Sequence, residues 1–104
     1  MNKNYIIRYS KLFYNDLEKI INYISHDLHN KEAAKNLLQE IEESILKRSV
    51  VPESFERYNF IKQRKNTYYR IYVRNYTIFY IVNDNIMEIR RILYSKREFN
   101  KLKF

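Results

Sequence analysis

Two hydrophobic periods divide this chain. Residues 4–9, NYIIRY, are short and rich in β-branched and aromatic side chains, which predicts an opening strand. Ser10 stands where a helix N-cap is needed. Phe13, Leu17, Ile20, Ile21, Ile24 and Leu28 then recur at helical spacing as one apolar stripe, with Asp16, Glu18, Lys19 and Asn22 between them. This helix is expected to stop near His26–Asp27. Asn30 is placed to cap a second helix, whose stripe is Ala34, Leu37, Leu38, Ile41 and Ile45. Pro52 closes it off, because proline removes a backbone donor and crowds the preceding turn. The short connection predicts an antiparallel helical hairpin.

The period then changes. Residues 53–67, ESFERYNFIKQRKNT, read as a loop with a brief extended piece around Tyr58–Ile61. Three strand-like runs follow. YYRIYV (68–73) sets Arg70 and Tyr72 against Ile71 and Val73. YTIFYIV (76–82) is continuously apolar or aromatic, as a central strand requires. IMEIRRIL (86–93) sets Met87, Ile89 and Leu93 against Glu88 and Arg90. Arg74–Asn75 and Asn83–Asp84–Asn85 are the hairpin turns, with asparagine expected to replace glycine. The order is β-α-α-β-β-β, an α+β class: an antiparallel sheet with a helical hairpin packed on one face. The opposite face, with Arg70, Tyr72, Thr77, Phe79 and Arg90, is expected to be open or covered by a partner.

The chain has 104 residues, enough for one modest core, and 1–104 is expected to form a single domain. No run approaches the ~18 apolar residues of a membrane span, and the N-terminus lacks the apolar segment of a secretory signal. Cysteine is absent, which excludes disulfides and thiolate metal sites. These features point to a cytoplasmic protein without membrane association. Asn, Ile, Lys and Tyr make up almost half of the chain, a bias that an AT-rich genome produces by itself. Charge changes the picture more. Residues 1–56 hold eight Lys/Arg and nine Asp/Glu; residues 57–104 hold twelve and three, so net charges of −1 and +9 make up the chain's +8. A strongly basic second half suits a polyanionic partner.

Three stretches carry a resemblance to a known family: YSKLFYNDLEKIINYISHD, the second helix ending in VVPESF, and YYRIYVRNYTIFYIVNDNIMEIRRILYSKREF. In that order they resemble the RelE/ParE family of toxins from bacterial type II toxin–antitoxin systems, over nearly the whole chain. The resemblance implies the RelE/ParE-like fold and a toxin silenced by a cognate antitoxin. It points first to a metal-independent, cofactor-free, ribosome-dependent endoribonuclease that cuts messenger RNA and inhibits translation. A ParE-like inhibitor of DNA gyrase is the alternative, which the long helical hairpin favours. A toxin that has lost catalysis and keeps only its antitoxin surface is a third reading.

Cleavage by attack of a 2′-hydroxyl needs a proton acceptor, cations around the phosphorane and a donor to the leaving oxygen. Carried over by position, the resemblance offers Arg70 and Tyr72 on one strand, Tyr94 at the end of the last, and Arg97 just beyond it. Where many RelE-like nucleases carry arginine on the central strand, this chain has Thr77, and a hydroxyl cannot replace a guanidinium as a phosphate clamp. Lys62, Arg64, Lys65, Arg74, Lys96, Lys101 and Lys103 are the candidate nucleic-acid contacts. Each has a plainer reading beside it. Arg70 either binds phosphate or solvates the sheet. Arg91 fits a carboxylate partner near the core better than catalysis, and Tyr76 and Tyr80 fit the core. Phe99 and Phe104 either stack on bases or fold the tail back onto the sheet. Glu98 reads as a solvated carboxylate, and His26 with His29 lack a third metal ligand.

Overall fold

The computed structural model describes residues 5–61 and 64–104, apart from the Lys101 side chain. In order, the chain forms β1 (Ile6–Tyr9), α1 (Lys11–Asn22), a π-helical turn (Tyr23–Asp27), α2 (Lys31–Arg48), β2 (Arg57–Tyr58), β3 (Tyr68–Val73), β4 (Tyr76–Asn83), β5 (Ile86–Tyr94) and a short 3-10 turn (Phe99–Lys101). The helices begin where their caps dictate. Ser10 Oγ accepts from the Phe13 N–H, and Asn30 Oδ1 accepts from the Ala33 N–H.

The strands lie in the order β1-β5-β4-β3-β2. β3, β4 and β5 form the expected meander, and β2 adds a two-residue antiparallel edge where an extended piece was expected. The sheet is not wholly antiparallel: β1 pairs parallel to β5, with Ile6 opposite Ile86 and Tyr9 opposite Ile89. The hairpin between them carries the chain across, so the first strand returns beside the last. The turns also depart from expectation. Positive φ falls on Arg74 (52°) and Asp84 (54°), the first residue of each two-residue turn, and not on the asparagines.

The hairpin covers one face of the sheet. Phe13, Leu37, Ile41 and Ile45 from the helices meet Tyr69, Ile71, Val73, Ile78, Tyr80, Met87, Ile89 and Ile92. The opposite face is also filled, which corrects the expectation of an open sheet. Tyr68, Phe79, Ile81 and Leu93 are buried there beneath Tyr58, Phe60, Phe99, Leu102 and Phe104. The chain thus supplies its own cover for this face, from the 58–60 segment and the tail.

A register shift explains which side chains share a face. Phe79 pairs with Arg91 but Tyr80 pairs with Ile89, so Arg90 is an extra residue in β5. Simple alternation would put Leu93 with Met87 and Ile89. The bulge puts Ile92 on the hairpin side instead and turns Leu93 to the tail side.

Candidate functional site

The sheet face away from the hairpin is built around Phe79, which is fully buried. Its ring meets those of Phe99 at 4.9 Å, Phe104 at 5.0 Å, Tyr58 at 5.3 Å and Phe60 at 5.7 Å. Tyr68 packs against Phe60 and Phe104. Tilted and edge-to-face pairs of this kind hold the tail by both area and ring electrostatics. Three arginines fix its backbone. Arg64 Nη2 donates to the Asn100 carbonyl at 3.1 Å, and Arg90 Nη2 donates to the main-chain oxygen of Phe104 at 2.6 Å. Arg91 Nη1 donates to the Lys103 carbonyl. Phe99 and Phe104 therefore pack back on the sheet and are not free stacking platforms.

Thr77 lies on the same face, opposite Tyr72 of β3 and Leu93 of β5. It is 1% exposed, and its Oγ1 lies 2.8 Å from the Ser95 Oγ. Beside it, Tyr72 is 62% exposed, and the Arg70 guanidinium lies 4.9 Å from the Tyr58 ring and 5.3 Å from the Tyr72 ring. Arg70 and Tyr72 form an accessible cation–aromatic pair at the rim of the filled face.

Tyr94 and Arg97 do not join them. The bulge turns Tyr94 toward the hairpin side, where its ring meets Tyr76 edge-on at 6.1 Å. Burial pushes the Tyr76 phenol above its ordinary value of 10.0, and the Tyr94 and Tyr23 phenols add to that shift. Arg97 shares with Tyr76 and Tyr94 a groove of about 250 Å³ that also touches Asp16, Lys19 and Ile20 of α1. Tyr94 thus faces the opposite side of the sheet from Arg70 and Tyr72, and Arg97 lies past the end of β5 in this edge groove.

The other expected contacts divide similarly. Arg64 lies over Phe60 and Phe104, at 4.6 and 5.2 Å, and holds the tail. Arg74 is ion-paired to Glu40 of α2 at 2.8 Å. Lys65, Lys96 and Lys103 are exposed. Lys62 and the Lys101 side chain lie outside the described residues.

Arg91 has the carboxylate partner expected of it. The partner is Asp16, which accepts from Arg91 Nε at 2.7 Å, Arg91 Nη2 at 2.9 Å and the Ile92 N–H at 3.2 Å. β1 stops at Tyr9, and Asp16 satisfies the free edge of β5 beyond that point. Arg48 was missed altogether. Its Nη1 donates to the Tyr80 hydroxyl at 3.0 Å and to the Arg70 carbonyl at 2.9 Å, while Tyr80 donates to the Pro52 carbonyl at 2.7 Å. Burial raises the Tyr80 phenol above 10.0, and Arg48 partly opposes that shift. Among the described residues no His, Cys, Asp and Glu side chains group as metal ligands, and no helix is long and apolar enough to cross a membrane.

Comparison with known proteins agrees with this architecture. The family model for the ParE toxin of the type II toxin–antitoxin system parDE matches residues 7–99. The chain belongs to the ParE toxin family. A structure of the chromosomal ParDE system from P. aeruginosa shares the fold with a TM-score of 0.73 at 14% identity, covering 90% of this chain and 99% of that one. The archaeal RelE–RelB complex from Pyrococcus horikoshii gives a TM-score of 0.53 at 18% identity, covering 91% and 99%. The E. coli DinJ–YafQ toxin–antitoxin complex gives 0.51 at 14% identity, covering 88% and 92%. No curated protein matches the sequence. These structures share the fold, and the α+β class expected from the sequence holds.

Proposed function

We propose that this toxin acts on DNA gyrase and that a cognate antitoxin silences it. This reverses the order expected from sequence, where messenger RNA cleavage stood first. The observation that carries the change is the filled sheet face. An acid–base nuclease needs its donor, acceptor and cations around one phosphate. Here Phe79, Phe99 and Phe104 occupy that face, Thr77 is buried on it, and Tyr94 points to the other side of the sheet from Arg70 and Tyr72. The ParE family match supports the same reading.

In this reading Arg70 and Tyr72 contact the target as a recognition pair, and the exposed Lys65, Lys96 and Lys103 steer it toward the polyanion. The antitoxin meets the +8 chain with acidic side chains, as electrostatic complementarity requires. The test runs two assays on one preparation. Gyrase supercoiling of relaxed plasmid should fall as toxin is added, while primer extension from a cell-free translation reaction should find the message intact. Discrete, ribosome-dependent ends with normal supercoiling would overturn the proposal in favour of the nuclease.

A further inference from the structure

The groove between α1 and the end of β5 carries two cations that the fold leaves uncompensated. Lys19 and Arg97 both line it and both are exposed. Among the described residues the ion pairs are Arg74–Glu40, Arg90–Glu88 and Arg91–Asp16, and neither Lys19 nor Arg97 takes part in one. Asp16 is the carboxylate of the groove, and it is already committed. Its oxygens accept from Arg91 and the Ile92 N–H, and its side chain is 11% exposed. Asp27 and His26 share with Lys19 the next stretch of surface but do not line this groove.

Two tyrosines line the groove with the cations. Tyr76 and Tyr94 stand edge-to-face on the sheet side. Tyr23 lies four residues after Lys19 and, with His26 and Asp27, borders the groove from the adjoining surface. It opens the π-helical turn, where the Leu28 N–H reaches the Tyr23 carbonyl at 3.0 Å. Its phenol is close enough to Tyr76 to raise that group. Such π turns often mark functional positions. The groove thus offers an ammonium, a guanidinium and phenol donors, with its carboxylate neutralised.

We propose that this groove binds a phosphate of a nucleic-acid strand. A tetrahedral phosphodiester takes the point charge of Lys19, the fork of Arg97 and a phenol donor together. The tyrosine rings provide faces for the adjoining sugar and base. The +9 charge of residues 57–104 favours a polyanion over an isolated anion. The site does not depend on gyrase being the target, because the protein alone is tested.

The experiment is fluorescence anisotropy of a labelled single-stranded DNA oligonucleotide, titrated with the whole protein over a series of salt concentrations. K19Q/R97Q is compared with K35Q/K47Q, which removes the same charge from exposed positions on α2. The groove variant should bind at least tenfold more weakly. Its slope of log K against log salt should shrink by about 0.7, the value of one lost single-strand phosphate contact. The α2 variant should keep the wild-type slope, and both should keep the wild-type thermal midpoint. Y94F should weaken binding a few-fold without changing the slope. Equal losses in both double variants, an unchanged slope in K19Q/R97Q, or no binding by the wild type would overturn the proposal. So would a groove variant that loses a Glu-rich peptide but keeps DNA.

Discussion

Asp16→Ala should be among the most damaging substitutions in this protein. Asp16 and Arg91 are joined by two hydrogen bonds at 2.7 and 2.9 Å, with side chains 11% and 10% exposed. Removing the carboxylate leaves a guanidinium with the Lys103 carbonyl and the Phe104 ring but no counter-charge, and it orphans the Ile92 N–H. Breaking one side of a buried pair costs about 3–5 kcal/mol, a large part of the whole stability of a chain this size. In thermal unfolding followed by circular dichroism, that corresponds to a fall on the order of 15 °C. The double variant D16A/R91M should recover much of the loss, because no buried charge is then left alone. A loss below about 1 kcal/mol for Asp16→Ala would refute the reasoning, since the pair would be behaving as a solvated surface bridge.

Phe104→Ala removes ring contacts to Phe60, Tyr68 and Phe79 at 5.0–5.2 Å, and should cost about 2 kcal/mol in urea unfolding. Tyr80→Phe leaves the Pro52 carbonyl and Arg48 short of a partner, and should cost about 1–2 kcal/mol by the same measurement. Burial raises the phenols of Tyr9, Tyr76 and Tyr80, so folding favours their neutral form. Their contribution is therefore present below pH 10 and lost as pH rises through the higher folded-state values, and Tyr80→Phe should flatten the alkaline decline in thermal midpoint. Arg70→Ala removes a side chain held against two tyrosine rings at the surface, and should lower toxin activity at least tenfold in the supercoiling assay while the thermal midpoint stays nearly unchanged.

Local rules carried much of the fold. Ser10 and Asn30 cap the helices they were expected to cap, and β3 spans the residues its alternation marks. These features depend on neighbours within a few residues, so one sequence contains them. Pairings between distant segments were less legible. β1 is four residues long and has no turn joining it to β5, so nothing local sets it parallel. The bulge at Arg90 has no glycine to announce it, yet it decides that Tyr94 faces the hairpin and Leu93 faces the tail. Alternation alone would have kept Tyr94 with Arg70 and Tyr72. The tail carried two readings, with Phe99 and Phe104 stacked on bases or folded back onto the sheet, and spacing alone did not choose between them. Its fold is set by Phe99, Leu102 and Phe104, which find Phe79 only once the sheet exists. Asp16 and Arg91 are 75 residues apart in sequence, beyond the reach of any spacing rule.

On the proposed reading, gyrase is this toxin's target. The most direct measurement incubates purified gyrase, plasmid, ATP and toxin, then adds detergent and protease and quantifies linear plasmid on a gel. Linear DNA that rises with toxin, and that falls at least tenfold for Arg70→Ala, is the predicted result. A plasmid that stays intact at every toxin concentration, under conditions where a known gyrase poison linearises it, would contradict the account.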